Sequence, residues 1–183
     1  YRVGHRGTDL NMISEVNEMS FTMPSWGKSF QDTMAIFNEK THRKPRPAWQ
    51  DVCWTGMAGA FYAVVVGGGV LEFFVALAGS LLSAGFVKAM SPFHPSDFWA
   101  TTLSGAIVCT LTVVLRNFFP DLVMEQAIAG GIMPYLPGMA FTNGIRDLMA
   151  GDLLSGTCRI GEALFLVGGI AIGIATVLGI LYM

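Results

Sequence analysis

Charged residues are concentrated in one short stretch of an otherwise apolar sequence. Arg146, Asp147, Asp152, Arg159 and Glu162 fall within 17 residues. An arginine guanidinium binds a carboxylate through two parallel hydrogen bonds. A partly desolvated aspartate or glutamate exchanges protons near neutral pH, because burial raises the pKa of a carboxyl group. The cluster therefore indicates binding of a carboxylate-bearing ligand by Arg146 or Arg159, and proton exchange at one of the acids.

A structural role is the alternative for the same cluster. Arg159 and Glu162 are three positions apart, so on a helix they share a face and can form an ion pair. In that case the charges serve to hold helices together. The residue types leave both interpretations open.

Uncharged polar groups and a further acid precede the cluster. Thr142 and Asn143 offer hydrogen-bonding groups to a polar ligand, although Asn also favours capping of a following helix. Glu125 is a further candidate for proton exchange, since it comes shortly before the apolar stretch that leads to these residues. For Glu125, and equally for Glu72, the alternative is a solvated position at the rim of the apolar region.

The segment that must position these groups is broken. The run from Ala127 to Phe141 is uncharged but only 15 residues long, whereas a membrane-spanning helix needs about 20. Pro134 and Pro137 each remove a backbone donor and disturb the preceding turn. Broken backbone cannot face lipid, so we expect it to lie against protein or a water-filled cavity. Pro137 and Gly138, at the end of the break, are included among the candidate binding residues.

Four other apolar segments surround this one. Residues 52–87 contain Glu72 as their single charge. One helix of that length would measure about 54 Å, so two helices joined at Gly67-Gly68-Gly69 fit a 30 Å hydrocarbon core better. A third span is predicted at 98–115 and a fifth at 163–183, with the interrupted fourth at about 121–149. The sequence predicts an all-α integral membrane protein of about five transmembrane helices.

Composition and charge placement support this class. The 183 residues are 52% hydrophobic and 13% charged, with a net charge of −2, which is typical of a bilayer protein and gives no sign of a nucleic-acid partner. Seven of the 11 lysines and arginines precede residue 52. Because basic flanks stay on the inner side of a membrane, the N-terminus is predicted to be cytoplasmic.

The first 47 residues form a separate region in this interpretation. Residues 1–23 and 25–40 show apolar residues at helical spacing, which predicts two amphipathic helices. The basic run at 40–47, KTHRKPRP, is expected to contact phospholipid headgroups. We therefore divide the chain into a cytoplasmic helical region, 1–47, and a transmembrane domain, 48–183. Since the chain begins at Tyr1 rather than methionine, upstream residues are expected to be missing.

Enzymatic, metal and cofactor functions are not indicated. The chain lacks the metalloprotease and serine-hydrolase signatures HExxH and GxSxG. Its cysteines, Cys53, Cys109 and Cys158, are scattered without metal-ligand spacing. No enzyme activity, metal or cofactor is expected.

Residues 136–163, LPGMAFTNGIRDLMAGDLLSGTCRIGEA, resemble the membrane half of the threonine/serine exporter family. The family pattern contains a PG pair, a TN pair, an RDL triplet, a GD pair, an SG pair, and a final arginine followed by EA. The positions that match it are Pro137, Gly138, Thr142, Asn143, Arg146, Asp147, Leu148, Gly151, Asp152, Ser155, Gly156, Arg159, Glu162 and Ala163. An earlier stretch, RGTDLNMISEVNEMS, is similar to the segment before the family's first membrane helix.

The resemblance implies a proton-coupled secondary exporter of small polar metabolites in a bacterial cytoplasmic membrane. Some family members fuse this five-helix unit to a second hydrophobic unit, and others encode the two separately, one such pair resembling a succinate exporter. The expected partners are therefore a carboxylate-bearing substrate, the lipid bilayer, and a second hydrophobic subunit or further copies of this chain. Amino-acid and dicarboxylate export are not separable at this point, and a non-transporting membrane scaffold is the competing class.

Overall fold

The computed structural model describes residues 10–22, 47–93 and 96–182, and between the first two ranges positions 27, 31, 32, 34, 35 and 37. Helices and turns account for this described part, and no strand occurs within it. The all-helical prediction is confirmed. The chain divides into two compact units, residues 1–46 and 47–183, and each is described by itself.

The first unit contains α1, Leu10–Thr22. Its apolar residues at three- and four-residue spacing form the helix that the sequence predicts over 1–23. Of the second predicted helix, at 25–40, positions 31, 32, 34, 35 and 37 are helical. Its other residues, Gly27 excepted, lie outside the described part, as does the basic run except for Pro47.

The second unit is a chain of helices of very different lengths. They are α2 (Ala48–Val65), α3 (Val70–Met90), α4 (Asp97–Arg116), α5 (Met124–Ile132), α6 (Gly138–Met149) and α7 (Leu153–Tyr182). Short 3₁₀ turns occur at Ser91–Phe93 and at Met133–Tyr135. The predicted division of residues 52–87 into two helices at the glycine triplet is confirmed.

The glycine triplet ends α2 by a Schellman motif. Gly67 has φ +95°, a left-handed conformation that costs little only without a Cβ. The N–H of Gly68 donates to the Ala63 carbonyl at 2.8 Å, and the N–H of Gly67 donates to Val64 at 3.0 Å. These two bonds satisfy carbonyls that the helix end would otherwise leave unpaired.

Three helices of the described part are long and apolar enough to cross a membrane. Their candidate ranges are Val70–Phe93, Asp97–Arg116 and Leu153–Leu181. The 18-residue α2 and the nine-residue α5 are not among them. A membrane protein is therefore supported, whereas the predicted count of five crossings stays a prediction.

The last helix begins ten residues before the predicted fifth span. At 30 residues and 1.5 Å per residue, α7 is about 45 Å long, about 15 Å more than the hydrocarbon core. Phe165 of α7 stacks on Phe98 of α4 with ring centroids 4.4 Å apart. Arg159 and Glu162 precede this contact along α7.

Glycines bring the helices into close contact. A Cβ at Gly130 of α5 would lie 2.5 Å from the Ala63 Cβ and 2.8 Å from the Gly59 carbonyl oxygen, both on α2. A Cβ at Gly131 would lie 2.5 Å from a Val108 methyl on α4. Small residues are the usual means by which helices approach in a bilayer. Here they let the short α5 sit between α2 and α4.

Glu72 connects the starts of two helices. One carboxylate oxygen accepts the N–H of Gly69, the N-cap of α3, at 2.8 Å. The other accepts the N–H of Val123, the N-cap of α5, at 2.9 Å. The side chain is 5% exposed, so the solvated rim position considered for Glu72 is wrong. Its partner at Val123 is 51 residues away, which local sequence does not reveal.

The outer surface of this unit is apolar. Large side chains on successive helices are more than half exposed, among them Phe74, Leu82, Ile172 and Ile180. Exposed apolar area of this extent marks a membrane or protein interaction surface. It agrees with helices whose outer faces contact lipid.

The close contact of α4 and α7 predicts the effect of a single methyl group. A Cβ at Gly173 would collide with the Thr102 carbonyl oxygen and lie 3.0 Å from the Ala106 nitrogen. Because both atoms belong to backbone, Gly173→Ala should force the helices apart and cost about 1–3 kcal/mol. The free energy of unfolding in detergent, from denaturant titration, measures this.

Gly179→Ala on the same helix is the matched control, since a Cβ there meets nothing within 4 Å. It should leave the unfolding free energy unchanged or raise it by up to about 1 kcal/mol, the difference in helix propensity. Equal effects of the two substitutions would contradict the described packing.

The Glu72 contacts predict a second stability difference. Glu72→Ala leaves the N–H groups of Gly69 and Val123 without their partner, and we expect a loss of about 2–3 kcal/mol in unfolding free energy. Glu125→Ala removes an exposed carboxylate from the first turn of α5 and should cost no more than about 0.5 kcal/mol. A loss at Glu72 no larger than that at Glu125 would show that the Glu72 carboxylate does not hold the two helix starts.

Candidate functional site

The charged cluster lies on a helical hairpin formed by α6 and α7. Gly151, with φ +89°, ends α6 in the left-handed conformation. The N–H of Asp152 donates to the Asp147 carbonyl at 2.9 Å, and the N–H of Gly151 donates to Leu148 at 3.1 Å. This second Schellman motif reverses the chain within three residues. The tight turn places the end of α6 directly beside the start of α7.

Asp152 caps α7. Its carboxylate Oδ1 accepts the N–H of Ser155 at 3.3 Å, and its carbonyl accepts the N–H of Gly156 at 3.0 Å. A carboxylate at this position satisfies a free backbone donor and interacts favourably with the helix dipole. Asp152, a predicted proton-exchange residue, therefore has an evident structural role.

Two glycines allow the backbones of α6 and α7 to touch. Gly144 and Gly156 are both buried. A Cβ at Gly156 would lie 2.8 Å from the Gly144 carbonyl oxygen and 2.6 Å from Leu148 Cγ, and one at Gly144 would lie 2.8 Å from Ile160 Cγ1. The facing residues of the hairpin are thereby fixed in register.

The register pairs Asp147 with Arg159. Arg159 Nε lies 3.1 Å from Asp147 Oδ2, with side chains 49% and 22% exposed. The Ser155 hydroxyl donates to the same oxygen at 3.0 Å. Asp147 is thus held by two donors from α7. Two predicted site residues, Asp147 and Arg159, thus form an ion pair between α6 and α7. Their spacing in the sequence had instead suggested a pair between Arg159 and Glu162 within α7.

Arg146 lies on the other side of α6. The helix turns by about 100° per residue, so Gly144, Asp147 and Leu148 face α7 while Thr142 and Arg146 point away from it. Thr142 and Arg146 are exposed and Asn143 is half-buried. Within the described residues, Arg146 makes no ion pair. The Arg146 guanidinium can therefore bind a ligand without giving up an ion pair, whereas the Arg159 guanidinium is already bonded to Asp147.

The start of α6 is set by the second proline. Pro137 has φ −78° and ψ 54°, and the N–H of Gly138 donates to the Leu136 carbonyl at 2.8 Å. This is an inverse γ-turn. The Thr142 hydroxyl donates to the Gly138 carbonyl at 2.9 Å, so it already has a partner within the helix.

The remaining candidates lie apart from one another. Glu125 is exposed in the first turn of α5, next to Val123, at the end of the bundle where Glu72 lies. Glu162 is exposed on α7, one turn beyond Arg159. The predicted residues therefore fall into five places: the Asp147–Arg159 pair with the Asp152 cap, the face of α6 that carries Thr142, Asn143 and Arg146, the start of α6 at Pro137 and Gly138, Glu162 on α7, and Glu125 at the start of α5.

Two residues with notable contacts, Ser155 and Tyr135, were not among the predicted site residues. Ser155 completes the Asp147 contacts, and its place in the SG pair of the family pattern could have indicated it. Tyr135 lies between the two prolines and bonds to Ser83 at 2.6 Å. It is the only hydroxyl-bearing residue in the uncharged run from 127 to 141, a signal that was available.

Comparison with known proteins identifies the family. The family model described as "Putative threonine/serine exporter" matches residues 1–181, nearly the whole chain. The chain belongs to the threonine/serine exporter family. The family is described as one of exporters, and an exporter is a transport protein, not an enzyme. The resemblance first recognised between residues 136 and 163 is thereby confirmed.

A curated relative supports the assignment. The chain is 25% identical over 170 residues to a protein of Mycobacterium tuberculosis (strain ATCC 25618 / H37Rv) named "Probable threonine/serine exporter". The match covers 92% of this chain and 32% of the relative. The exporter-family chain thus spans about a third of that relative's length. No solved structure matches the chain.

The Asp147–Arg159 contact predicts a measurable coupling. In a double-mutant cycle with Asp147→Asn and Arg159→Gln, we expect a coupling free energy of about 1 kcal/mol, at the upper end for a partly exposed pair. The measurement is the free energy of unfolding in detergent of the four variants. Arg146→Gln replaces Arg159→Gln in the control cycle and should give no coupling. Equal couplings in the two cycles would contradict the described geometry.

Proposed function

We propose that this chain is a subunit of a secondary active exporter for small carboxylate-bearing metabolites, driven by the proton gradient. The substrates are threonine- or serine-type amino acids or succinate-type dicarboxylates. The observation that carries the proposal is the exposed Arg146 on the face of α6 that α7 leaves uncovered, in a chain of an exporter family.

Arg146 is the better of the two arginines for binding substrate. A carboxylate reaching Arg159 would have to displace Asp147, which is already bonded at 3.1 Å. Arg146 needs no such exchange, and Asn143 lies beside it, one turn earlier on the helix. We assign the substrate carboxylate to Arg146 and selectivity to Thr142 and Asn143, with Pro137 and Gly138 fixing the start of α6.

Asp147 is the best supported proton carrier. Its side chain is the less exposed partner of the pair, at 22%. Protonation would remove its charge, weaken the contact with Arg159 and loosen α6 from α7. Glu162 and Glu125 are exposed, and Asp152 is engaged as a cap, so these three carboxylates rank behind Asp147. In this mechanism, protonation of Asp147 is coupled to a loosening of the contact between α6 and α7.

The proposed topology has the N-terminus in the cytoplasm and five crossings of a bacterial cytoplasmic membrane. The starts of α2 and α4 and the end of α3 share one end of the bundle, and the Phe98–Phe165 contact places the charged part of α7 beyond that same end. The hairpin would then lie at the cytoplasmic surface. In this topology, Glu72 and Glu125 lie at the outer end of the bundle.

A partner is proposed to cover the open face of α6. Met139 and Met149 on this helix are 56% and 84% exposed, and α7 is its main neighbour. A second hydrophobic subunit, or another copy of this chain, would bury these residues beside Arg146. The relative in Mycobacterium tuberculosis is about three times as long as the matched region, which leaves room for such a unit.

A non-transporting scaffold is the second candidate function. It is favoured by one observation, namely that Asp147, Arg159, Ser155 and Asp152 all have internal partners. In that case these charges only hold the hairpin together. Transport measurements separate the two functions.

Arg146→Gln tests the exporter directly. In membrane vesicles loaded with labelled serine, threonine or succinate, the substitution should lower efflux about tenfold or more, since it removes a charge-assisted contact of about 1.5–3 kcal/mol. Efflux of the unmodified protein should also fall when the pH gradient is abolished. The amount of assembled protein in the membrane should not change.

Arg116→Gln is the matched control. Arg116 is an exposed cation at the far end of α4, and its loss should leave efflux unchanged. No efflux of any of the three substrates above background, from vesicles that contain the assembled protein, would favour the scaffold.

A further inference from the structure

The short connector between α5 and α6, residues 133–137, is fixed to the bundle by hydroxyl groups. Within it, Tyr135 is half-buried. Its hydroxyl oxygen lies 2.6 Å from Ser83 Oγ and 3.3 Å from the Ser80 carbonyl oxygen, both on α3. Ser104 on α4 is a third hydrogen-bonding partner, and all three serines are fully buried. One tyrosine of the broken segment therefore bonds to two of the long apolar helices.

The end of α5 is held from the same side. Pro134 has no N–H group, so it cannot continue the hydrogen-bond pattern of α5. The Ser80 hydroxyl on α3 donates to the Gly131 carbonyl, in the last turn of α5, at 3.0 Å. Carbonyl groups at such a break need a donor from the protein, because no water is available within the hydrocarbon core. The serines of α3 thus hold the chain on both sides of Pro134.

Beyond the connector, α6 has one main neighbour among the helices of its unit. That neighbour is α7, and the contacts include the close approach at Gly144 and the Asp147–Arg159 pair. Within the described residues, α2, α3, α4 and α5 make no comparable contact with α6. The helix that carries Arg146 is therefore joined to the rest of the unit at two places, at α7 and through Tyr135.

The serines that bond to Tyr135 have other partners within their own helices. Ser83 Oγ lies 3.1 Å from the Ser80 carbonyl oxygen, and the Ser104 hydroxyl donates to the Ala100 carbonyl at 2.8 Å. Loss of the Tyr135 hydroxyl would therefore leave neither serine with an unpaired buried donor, which is the costly case. The Tyr135 bonds thus serve to place the connector rather than to stabilise α3 or α4.

We propose that Tyr135 is a positioning residue that anchors the start of α6 when this helix separates from α7; its part in transport rests on the export function proposed above. Only two residues lie between Tyr135 and the first residue of α6, Gly138, so a fixed Tyr135 limits how far the start of α6 can move. When the Asp147–Arg159 contact opens, α6 turns about its first residues and stays attached to the bundle. Arg146, about two turns from Gly138, moves with it.

The anchor bears on how substrate release depends on the proton. With the start of α6 fixed, loosening of the contact at Asp147 displaces Arg146 in one direction, as in a hinge whose axis lies at an element end. Without the anchor, α6 can separate from α7 at either end, and Arg146 then moves whether or not Asp147 is protonated. Removal of the anchor should therefore make substrate movement less dependent on the pH gradient.

Tyr135→Phe tests the anchor, since it keeps the ring and removes the hydroxyl. Hydrogen–deuterium exchange is measured on the full chain in lipid nanodiscs. The backbone amides of α6, residues 138–149, should exchange about fivefold or more faster in the variant, the factor that corresponds to one net hydrogen bond. The amides of α3 and α4 should keep their rates, because their serines keep partners. Unchanged exchange in α6, or an equal rise in α3 and α4, would overturn the proposal.

Tyr62→Phe is the matched control. Tyr62 is half-buried on α2, as Tyr135 is in the connector, but within the described residues its hydroxyl has no hydrogen-bonding partner. The same chemical change should therefore leave the exchange rates of α6 unaltered. A rise in α6 exchange as large as that of Tyr135→Phe would show that the Tyr135 contacts do not anchor the helix.

Efflux measurements test the part of the anchor in transport. In vesicles loaded with labelled serine, threonine or succinate, Tyr135→Phe should lower the ratio of efflux with a pH gradient to efflux without one by about fivefold or more. A loss by the same factor under both conditions would show damage to the structure and contradict a role in coupling. No efflux by the unmodified protein contradicts the export function alone, because hydrogen exchange still decides whether Tyr135 anchors α6.

Discussion

The second unit depends on one carboxylate that satisfies backbone donors at two helix starts. In a bilayer no water is available to pair with free N–H groups, so helix ends within a bundle must find partners in the protein. Glu72 accepts from Gly69 and Val123 at 2.8 and 2.9 Å. The second of these bonds fixes where α5 begins. From that point nine residues of helix bring Gly130 and Gly131 against α2 and α4, and the following turn brings Tyr135 to Ser83.

Small residues and hydroxyls, rather than large apolar side chains, fill the centre of this bundle. Within the described residues, the largest fully buried side chains are Val108, Thr112, Cys109, Ser80, Ser83 and Ser104. Lipid is as apolar as any core, so helices gain little from burying large apolar groups, and close packing with interhelical hydrogen bonds takes over. The same residues leave buried hydroxyl groups beside the proline break, where Tyr135 bonds to Ser83 and Ser80.

Sequence patterns predicted those features that arise within a few residues. The glycine triplet separates α2 from α3, and Pro134 and Pro137 bracket the turn that separates α5 from α6, because each acts on its own backbone. Contacts between distant segments were not predictable in this way. Glu72 meets Val123 across 51 residues, and its burial reversed the rim interpretation. Arg159 meets Asp147 only because Gly144 and Gly156 allow the two backbones to touch, whereas spacing along one helix pointed to Glu162.

The charged residues therefore fall into two groups: those bonded to one another within the hairpin, and Arg146, which faces outward. Asp152 and Ser155 lie at the start of α7, and Asp147 with Arg159 joins α6 to α7, so these groups already have partners within the hairpin. Arg146 faces outward from the same short helix. Breaking a partly exposed ion pair of this kind costs about 1 kcal/mol or less, and Arg146 lies one position before Asp147. In the proposed function, binding at Arg146 and protonation of Asp147 would both act on α6, and through this shared helix each event would bias the other.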